Sequence, residues 1–143
     1  MKKLLVILLS LALVCGVFAG CNGEGATSSG AGAVSIAESA TFDLCDEKMR
    51  PLVTTEHVYS VENTGYNEEN KCYTLVLLFT VEGKEKLAQA TKANIGKQLY
   101  AFVNGSPTLT ALIMEEITDG RLVLVFHNEH EATAAYNGLV NGK

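Results

Sequence analysis

The sequence predicts an α+β domain in which an antiparallel-rich sheet carries two helices on one face. Three observations lead to this prediction: an apolar run at residues 72–80, later segments with alternating apolar residues, and two stretches with helical spacing. The chain has 143 residues, which leaves room for one ordinary domain once residues 1–20 are set aside as a leader. Because two helices cannot cover both faces of a wide sheet, a layer on one face is the economical packing.

The first predicted elements are a short strand at residues 41–44 and a capped helical turn at residues 54–58. Residues 63–71 are polar and include Gly65, which indicates a loop. Residues 72–80 are apolar on both faces and rich in branched and aromatic side chains. This run predicts a strand in the middle of the sheet.

Residues 81–95 have the spacing of a helix, with Thr80 able to cap its start and Gly96 able to take the left-handed position at its end. The second helix begins at Asn128, where Glu131 completes a capping pattern, and it ends at Gly142. The predicted inward-facing residues are Leu87, Ala88, Thr91 and Ile95 in the first helix and Ala132, Ala135, Tyr136 and Leu139 in the second.

Between the helices the sequence predicts three strands. The pair Asn104-Gly105 indicates a hairpin, because both residues tolerate positive φ. Thr118-Asp119-Gly120 indicates a second turn. The strands occupy residues 97–103, 108–114 and 122–126, and the resulting order of the core is β-α-β-β-β-α.

The first twenty residues have the features of an export signal. Lys2 and Lys3 precede an apolar run at residues 4–14, which is shorter than the ~18 to 20 residues needed to span a bilayer. The sequence Phe18-Ala19-Gly20-Cys21 resembles the processing box of bacterial lipoproteins. Cys21 is therefore the predicted lipid-attachment site. This pattern favours a lipoprotein over a protein with a transmembrane anchor and over an ordinary secreted protein.

The domain organisation follows from this leader. Residues 1–20 are the predicted signal peptide, residues 21–38 a flexible tether of small residues, and residues 39–143 the folded domain. Two or three acyl chains would hold the domain at a membrane surface. The expected location is the extracytoplasmic face of the cell membrane, or the outer membrane in an organism that has one.

Charge and cysteine content narrow the function further. The formal net charge is −5 and becomes −7 once Lys2 and Lys3 are removed, which argues against nucleic acid as a partner. Cys45 and Cys72 are the two cysteines of the folded part. In an oxidising compartment they would form a disulfide, and closing a ring of this size would stabilise the fold by about 3.5 kcal/mol. The alternative is a pair of buried thiols.

The sequence contains no motif that predicts catalysis. His127 and His130 are close in sequence, but Asn128 between them is the helix cap, so the two imidazoles need not converge on a metal. Glu115 and Glu116 are adjacent and would point to opposite faces of an extended segment. We therefore expect a non-enzymatic protein without a metal or another cofactor. Tyr66 in the polar loop is the best candidate for an exposed contact residue.

From residue 79 onward, turn and cap motifs follow one another in a characteristic order: Phe79-Thr80, Glu82-Gly83, Leu87-Ala88, Ala90-Thr91, Asn94-Ile95-Gly96-Lys97, Asn104-Gly105, the turn at residues 116–121, Glu131-Ala132, Leu139 and Gly142. In this order they resemble the head subdomain of the first large periplasmic region of SecD, a membrane subunit of the bacterial protein-export machinery. Where this chain has Asn104-Gly105, the family usually has Asp-Gly, and where this chain has Ala111 and Leu112 the family commonly has a proline.

The resemblance implies a binding or accessory module whose partners, besides the membrane, are exported polypeptide or translocase components. SecD spans the membrane several times and this sequence has no such helices. The two proteins can therefore share this domain without sharing the role of SecD in export. A small-ligand or peptide receptor unrelated to export is the alternative, and a hydrolase with an unrecognised site is the third. A deep polar pocket would favour a ligand receptor, whereas an exposed strand edge would favour peptide binding.

Overall fold

The computed structural model describes residues 32–142, and it confirms the α+β class and the predicted order of the core elements. Two helices accompany eight strands, and a 3₁₀ turn lies at Thr55–His57. The helices are α1 (Val81–Ala93) and α2 (Glu129–Asn141). The strands are β1 (Val34–Ser35), β2 (Phe42–Cys45), β3 (Pro51–Thr54), β4 (Val58–Asn67), β5 (Cys72–Phe79), β6 (Gln98–Val103), β7 (Ser106–Leu112) and β8 (Arg121–Phe126).

The strands form two antiparallel sheets of four strands each. Sheet A has the order β1-β4-β5-β8, and sheet B has the order β3-β2-β6-β7. The β6–β7 hairpin predicted from the sequence is present, but β8 pairs with β5 instead of joining that hairpin. This pairing places Leu122 and Leu124 opposite Leu77 and Leu75, so β8 extends the apolar face of the central strand.

One core unites the two sheets and both helices. Phe42 of sheet B meets Phe79 of sheet A edge to face, with ring centroids 6.4 Å apart. Helix α1 packs against β3, β5 and the 3₁₀ turn, whereas α2 packs against β4, β5 and β8. The fully buried members are Phe42, Val53, Val61, Leu75, Leu77, Leu87, Leu99, Leu124 and Leu139.

The predicted caps are present at both helices. The side chain of Thr80 accepts a hydrogen bond from the Gly83 backbone at 3.0 Å, and that of Asn128 accepts one from the Glu131 backbone at 2.8 Å. Gly96 and Gly142 follow the two helices and have positive φ, +79° and +75°, which glycine adopts without steric cost.

Three segments differ from the predictions. The strand β4 continues to Asn67, because a bulge at Gly65, with φ +73°, lets the polar residues keep pairing with β5. Ile95 is 51% exposed, because α1 already ends at Ala93 and the chain leaves the helix before residue 95. Val34 and Ser35 of the predicted tether pair with β4, so ordered structure begins before residue 39.

Residues 1–31 and 143, which include the predicted signal peptide and Cys21, lie outside the described residues. Between residues 32 and 142, neither helix has the length and apolar character required to cross a bilayer.

Candidate functional site

A cleft of about 450 Å³ opens between the β6–β7 hairpin and helix α2. Its floor is apolar, its rim carries backbone and hydroxyl groups of the hairpin, and Glu131 is the ionisable residue in its lining. The residues that line it are Val103, Asn104, Ser106, Pro107, Thr108, Phe126, Glu131, Ala134, Ala135 and Gly138. Small side chains on α2 leave this space, and the arrangement suits binding of a small group or a peptide side chain.

Asn104 lines the cleft and connects three elements. It occupies a left-handed conformation, with φ +51°, at the tip of the hairpin. Its Oδ1 accepts a hydrogen bond from the Thr41 backbone at 2.8 Å, and its Nδ2 donates one to the Gly138 carbonyl at 2.9 Å. The Asn104 backbone also donates to the Thr41 carbonyl at 2.8 Å. The side chain therefore holds the hairpin against both α2 and the segment that precedes β2.

A second, shallower concavity of about 620 Å³ lies on the outer face of sheet B. Its lining is mostly apolar and consists of Asp43, Cys45, Met49, Pro51, Phe102 and Gly105. Asp46 holds the neighbouring turn: its Oδ1 accepts from the backbones of Lys48 and Arg50 at 2.9 Å each, and its Oδ2 accepts from Arg50 Nε at 2.7 Å. These hydrogen bonds, led by that of the Arg50 side chain, lower the pKa of Asp46.

Cys45 and Cys72 are both buried free thiols, so the predicted disulfide is not formed in this structure. Cys45 ends β2 in sheet B opposite Tyr100, and Cys72 begins β5 in sheet A opposite Asn67. The two residues thus belong to different sheets, which corresponds to the alternative of two buried thiols. Burial raises the pKa of Cys45, and the charges of Asp43 and Asp46 raise it further. A bond in the oxidised protein stays a prediction.

The structure keeps the other polar candidates apart. His127 and His130 are exposed on either side of the Asn128 cap. Glu116 lies 3.8 Å from Lys92 in a surface ion pair. Within the described range, residues 32–142, no cluster of three or more His, Cys, Asp or Glu side chains is placed to hold a metal ion.

Tyr66 lies on the extended end of β4 and is 46% exposed. Its ring contacts that of Tyr73 on β5, with centroids 5.0 Å apart. The two rings therefore support each other at the outer end of the β4–β5 pair, which is a different part of the molecule from the cleft.

No pattern in the sequence predicts the cleft. The sequence predicts Asn104 as a turn residue and Ala135 as an inward-facing residue of α2, and both of them line the cleft. The available signals were the glycine at position 138 inside a helical pattern and an asparagine in place of the aspartate usual in the resembled family. A glycine within a helix indicates close packing against another element, and Gly138 has the Asn104 amide and Val103 as neighbours.

The fold is similar to part of SecDF. In one solved structure of SecDF, a membrane component that enhances protein export, the likeness has a TM-score of 0.60 and 19% identity over 73% of this chain. A second structure, of SecDF in a super-membrane-facing form, gives a TM-score of 0.59 and 18% identity over 71% of this chain. The chain spans 64% of the first SecDF chain and 18% of the second.

No protein-family model matches the sequence, and no curated protein matches it. The likeness at this identity is one of fold, and it confirms the fold that the resemblance to the SecD head implies. The molecule is thus a small α+β domain with a SecD-like fold and an open cleft beside its second helix.

Proposed function

We propose that this protein is a membrane-tethered extracytoplasmic lipoprotein whose SecD-head-like domain supports protein export by contact with polypeptides or translocase components. The observation that carries the proposal is the similarity in fold to SecDF across 73% of the chain. The neighbour enhances protein export, and the domain shares its fold without adding a cluster of reactive groups to the cleft. Fold similarity alone does not transfer a function, so the proposal depends on a test of contact.

The tether is the second part of the proposal. Cys21 follows a short apolar run and two small residues, and acyl chains attached there would keep the domain at the extracytoplasmic membrane surface. We expect Cys21→Ser to lack the mass of the acyl chains and to retain residues 1–20, because the thiol is acylated before the leader is cleaved. A wild-type protein without added lipid mass would contradict this assignment.

The cleft supports binding in preference to catalysis. Glu131 is the carboxylate in its lining, and the histidines His127 and His130 are exposed beside the start of α2. A nucleophile activated by a neighbouring base requires two such groups within hydrogen-bond reach of each other. Ser106 and Thr108 supply hydroxyls to the rim, and the hydroxyl of Thr108 donates to the Ser106 carbonyl at 3.1 Å. These groups provide hydrogen bonds for a bound chain.

The test is site-specific photocrosslinking in living cells. A photoreactive residue at position 107, on the rim of the cleft, should crosslink to proteins in transit or to translocase components. Products that contain proteins in transit should decline when synthesis of exported proteins is stopped. The matched control is position 86 on the exposed face of α1, where we expect no such products. Equal products at the two positions, or none at position 107, would overturn the proposal.

The volume of the cleft favours a second candidate, a small-ligand receptor. A space of about 450 Å³ lies within the range usual for ligand sites. Native mass spectrometry of the full chain, extracted in mild detergent, would reveal a small molecule that stays bound and is lost in Gly138→Leu. That result, without crosslinks to polypeptides, would favour the receptor.

A further inference from the structure

Strand β7 is the last strand of sheet B, and its outer edge is open. The order β3-β2-β6-β7 gives it a partner on one side, and within residues 32–142 no strand pairs with its other side. Ser106, Pro107, Thr110 and Leu112 are exposed along this strand, and Met114 just beyond it is 76% exposed. An open edge presents backbone N–H and C=O groups that only an extended chain can satisfy in series.

Hydrogen bonds beyond the strand define which backbone groups face outward. Ile113 donates to the Lys97 carbonyl at 3.0 Å and accepts from the Gly96 backbone at 2.8 Å, so Ile113 faces the side of β6. Alternation in an antiparallel pair then directs Ala111 inward and the N–H and C=O groups of Leu112 and Thr110 outward. These two residues supply a set of unpaired donors and acceptors at the spacing of a β-ladder.

The edge carries few of the features that usually prevent strand pairing. Residues 106–114 contain no charged side chain. Pro107 and the bulge near Thr108 lie at one end of the strand, which leaves residues 109–112 regular. Proteins commonly protect an exposed edge with lysine, proline or a bulge, and here the protection covers only the end beside the hairpin.

The edge is continuous with the cleft. Ser106, Pro107 and Thr108 of β7 form one wall of the cleft, and α2 forms the other. A strand added along β7 would therefore run toward a pocket that accepts one of its side chains. Backbone bonds for affinity combined with a side-chain pocket for specificity are the two components of peptide recognition by strand addition.

We propose that the outer edge of β7 binds an extended, uncharged or basic segment of another polypeptide as an added strand of sheet B. This inference rests on the proposed function in its choice of partner, which it narrows to extended chains. Two copies of this domain, each with a formal charge near −7 after the leader, would repel each other, whereas neutral and basic segments would not. Glu131 in the cleft adds to the preference for a basic residue.

The two sheets also end at β1, β3 and β8, of which β8, with six residues, is the longest. Its outward Val123 and Val125 are 49% and 39% exposed. Helix α2 follows β8 directly and packs against it, and Arg121 at its start forms an ion pair with Glu62 at 3.1 Å. Three consecutive residues of β7 line the cleft, whereas β8 contributes only Phe126 at its end. A strand added to β7 would therefore have more contact with the cleft than one added to β8.

The test uses the full chain in mild detergent and a labelled peptide of alternating threonine and valine with lysine at both ends. We expect saturable binding by fluorescence anisotropy and slower hydrogen exchange at the amides of Thr110 and Leu112 by NMR. Thr110→Pro removes an outward N–H without a ladder bond to β6, and should weaken binding by roughly tenfold. Thr110→Val keeps that N–H and should bind like the wild type.

A second measurement covers the case in which Thr110→Pro fails to fold. Two further peptides carry N-methyl groups on alternate amides, one on the odd-numbered and the other on the even-numbered residues. Because only alternate amides of an added strand face the sheet, one of the two peptides should bind the wild type more weakly than the other. Absence of saturable binding, equal affinity of the two Thr110 variants, or protection at residues 121–126 would overturn the proposal. Protection of the Thr110 amide that grows with protein concentration without peptide would show a second copy and would also overturn it.

Failure of this inference differs from failure of the proposed function. Peptide binding at β7 without crosslinks from position 107 in cells would remove the export role and leave the edge site. Crosslinks from position 107 that persist in Thr110→Pro would remove the edge site and leave contact with exported chains.

Discussion

The two helices of this domain meet the rest of the molecule in different ways. At the start of α1 the backbone of Gly83 lies against the carbonyl of His57, and the same carbonyl accepts a hydrogen bond from the Thr80 backbone at 2.9 Å. In α2 the corresponding glycine, Gly138, faces side chains: the Asn104 amide and the Val103 methyl group would lie 3.1 and 3.3 Å from an added Cβ.

The difference separates a closed junction from an open one. Backbone cannot move away from an intruding atom without disturbing a sheet or a turn, so α1 is fixed at its first turn. The amide of Asn104 can rotate, and α2 is bordered by the cleft. The open space beside the helices therefore lies on the side of α2.

The substitution of each helical glycine by alanine gives the largest expected effect. In Gly83→Ala the new Cβ would overlap the carbonyl oxygen of His57 and lie 2.9 Å from the Cβ of His57, so we expect a loss of about 3 kcal/mol or more. In Gly138→Ala the gain of roughly 1 kcal/mol in helix propensity offsets the displaced Asn104 amide. The free energy of unfolding in urea measures both. Similar free energies of unfolding for the two variants would show that the helices do not differ in how tightly they are packed at these glycines.

The buried hydroxyl of Thr91 gives the next largest effect, on the side of α1. Thr91 is 0% exposed; its Oγ1 donates to the Leu87 carbonyl at 2.8 Å and accepts from the Ile117 backbone at 2.9 Å. Thr91→Val keeps the volume but leaves the Ile117 N–H without this partner, at a cost of about 1–3 kcal/mol. Thr91→Ser keeps the hydroxyl and loses a methyl group, at about 1 kcal/mol. A serine variant less stable than the valine variant would contradict the role of the hydroxyl.

The sequence predicted the elements whose signals are local. The apolar run of β5 indicated the central strand, and the oxygens of Thr80 and Asn128 indicated the two caps, because a cap depends on residues within one turn of helix. Gly96 was predicted to be left-handed for the same reason. The fold class followed from these elements and their order.

The sequence could not predict how the strands were shared between two sheets. The alternation of Leu122, Leu124 and Phe126 states which face of β8 is buried, but it does not select a partner strand. The cleft was also out of reach, because Ala134, Ala135 and Gly138 have no chemical signature and define a space only when the hairpin lies opposite them.

A smaller effect is expected at the open junction from Asn104→Asp, which introduces the residue usual in the resembled family. The carboxylate can still accept from the Thr41 backbone, but it cannot donate to the Gly138 carbonyl, which it now meets with a negative charge. We expect a loss of about 1–2 kcal/mol in the free energy of unfolding. Asn104→Gly is the control for the backbone conformation, since it keeps the positive φ without the side chain. An aspartate variant as stable as the wild type would show that the hydrogen bond from Asn104 to the Gly138 carbonyl does not stabilise the fold.

The smallest expected effect lies at neither junction, in the turn that Asp46 holds on sheet B. The hydrogen bond from Arg50 lowers the pKa of Asp46 in the folded state, so this contribution to stability is complete above the unfolded-state pKa of about 3.9 and is lost as the pH falls through the lower folded-state pKa. Asp46→Asn lacks the contribution at every pH. Urea unfolding of both proteins at pH 5.5 and at the lowest pH where they still fold should therefore show a larger acid-induced loss in the wild type, since all other carboxylates act equally in both. Equal losses would mean that the exposed Arg50 side chain does not stabilise the ionised form of Asp46.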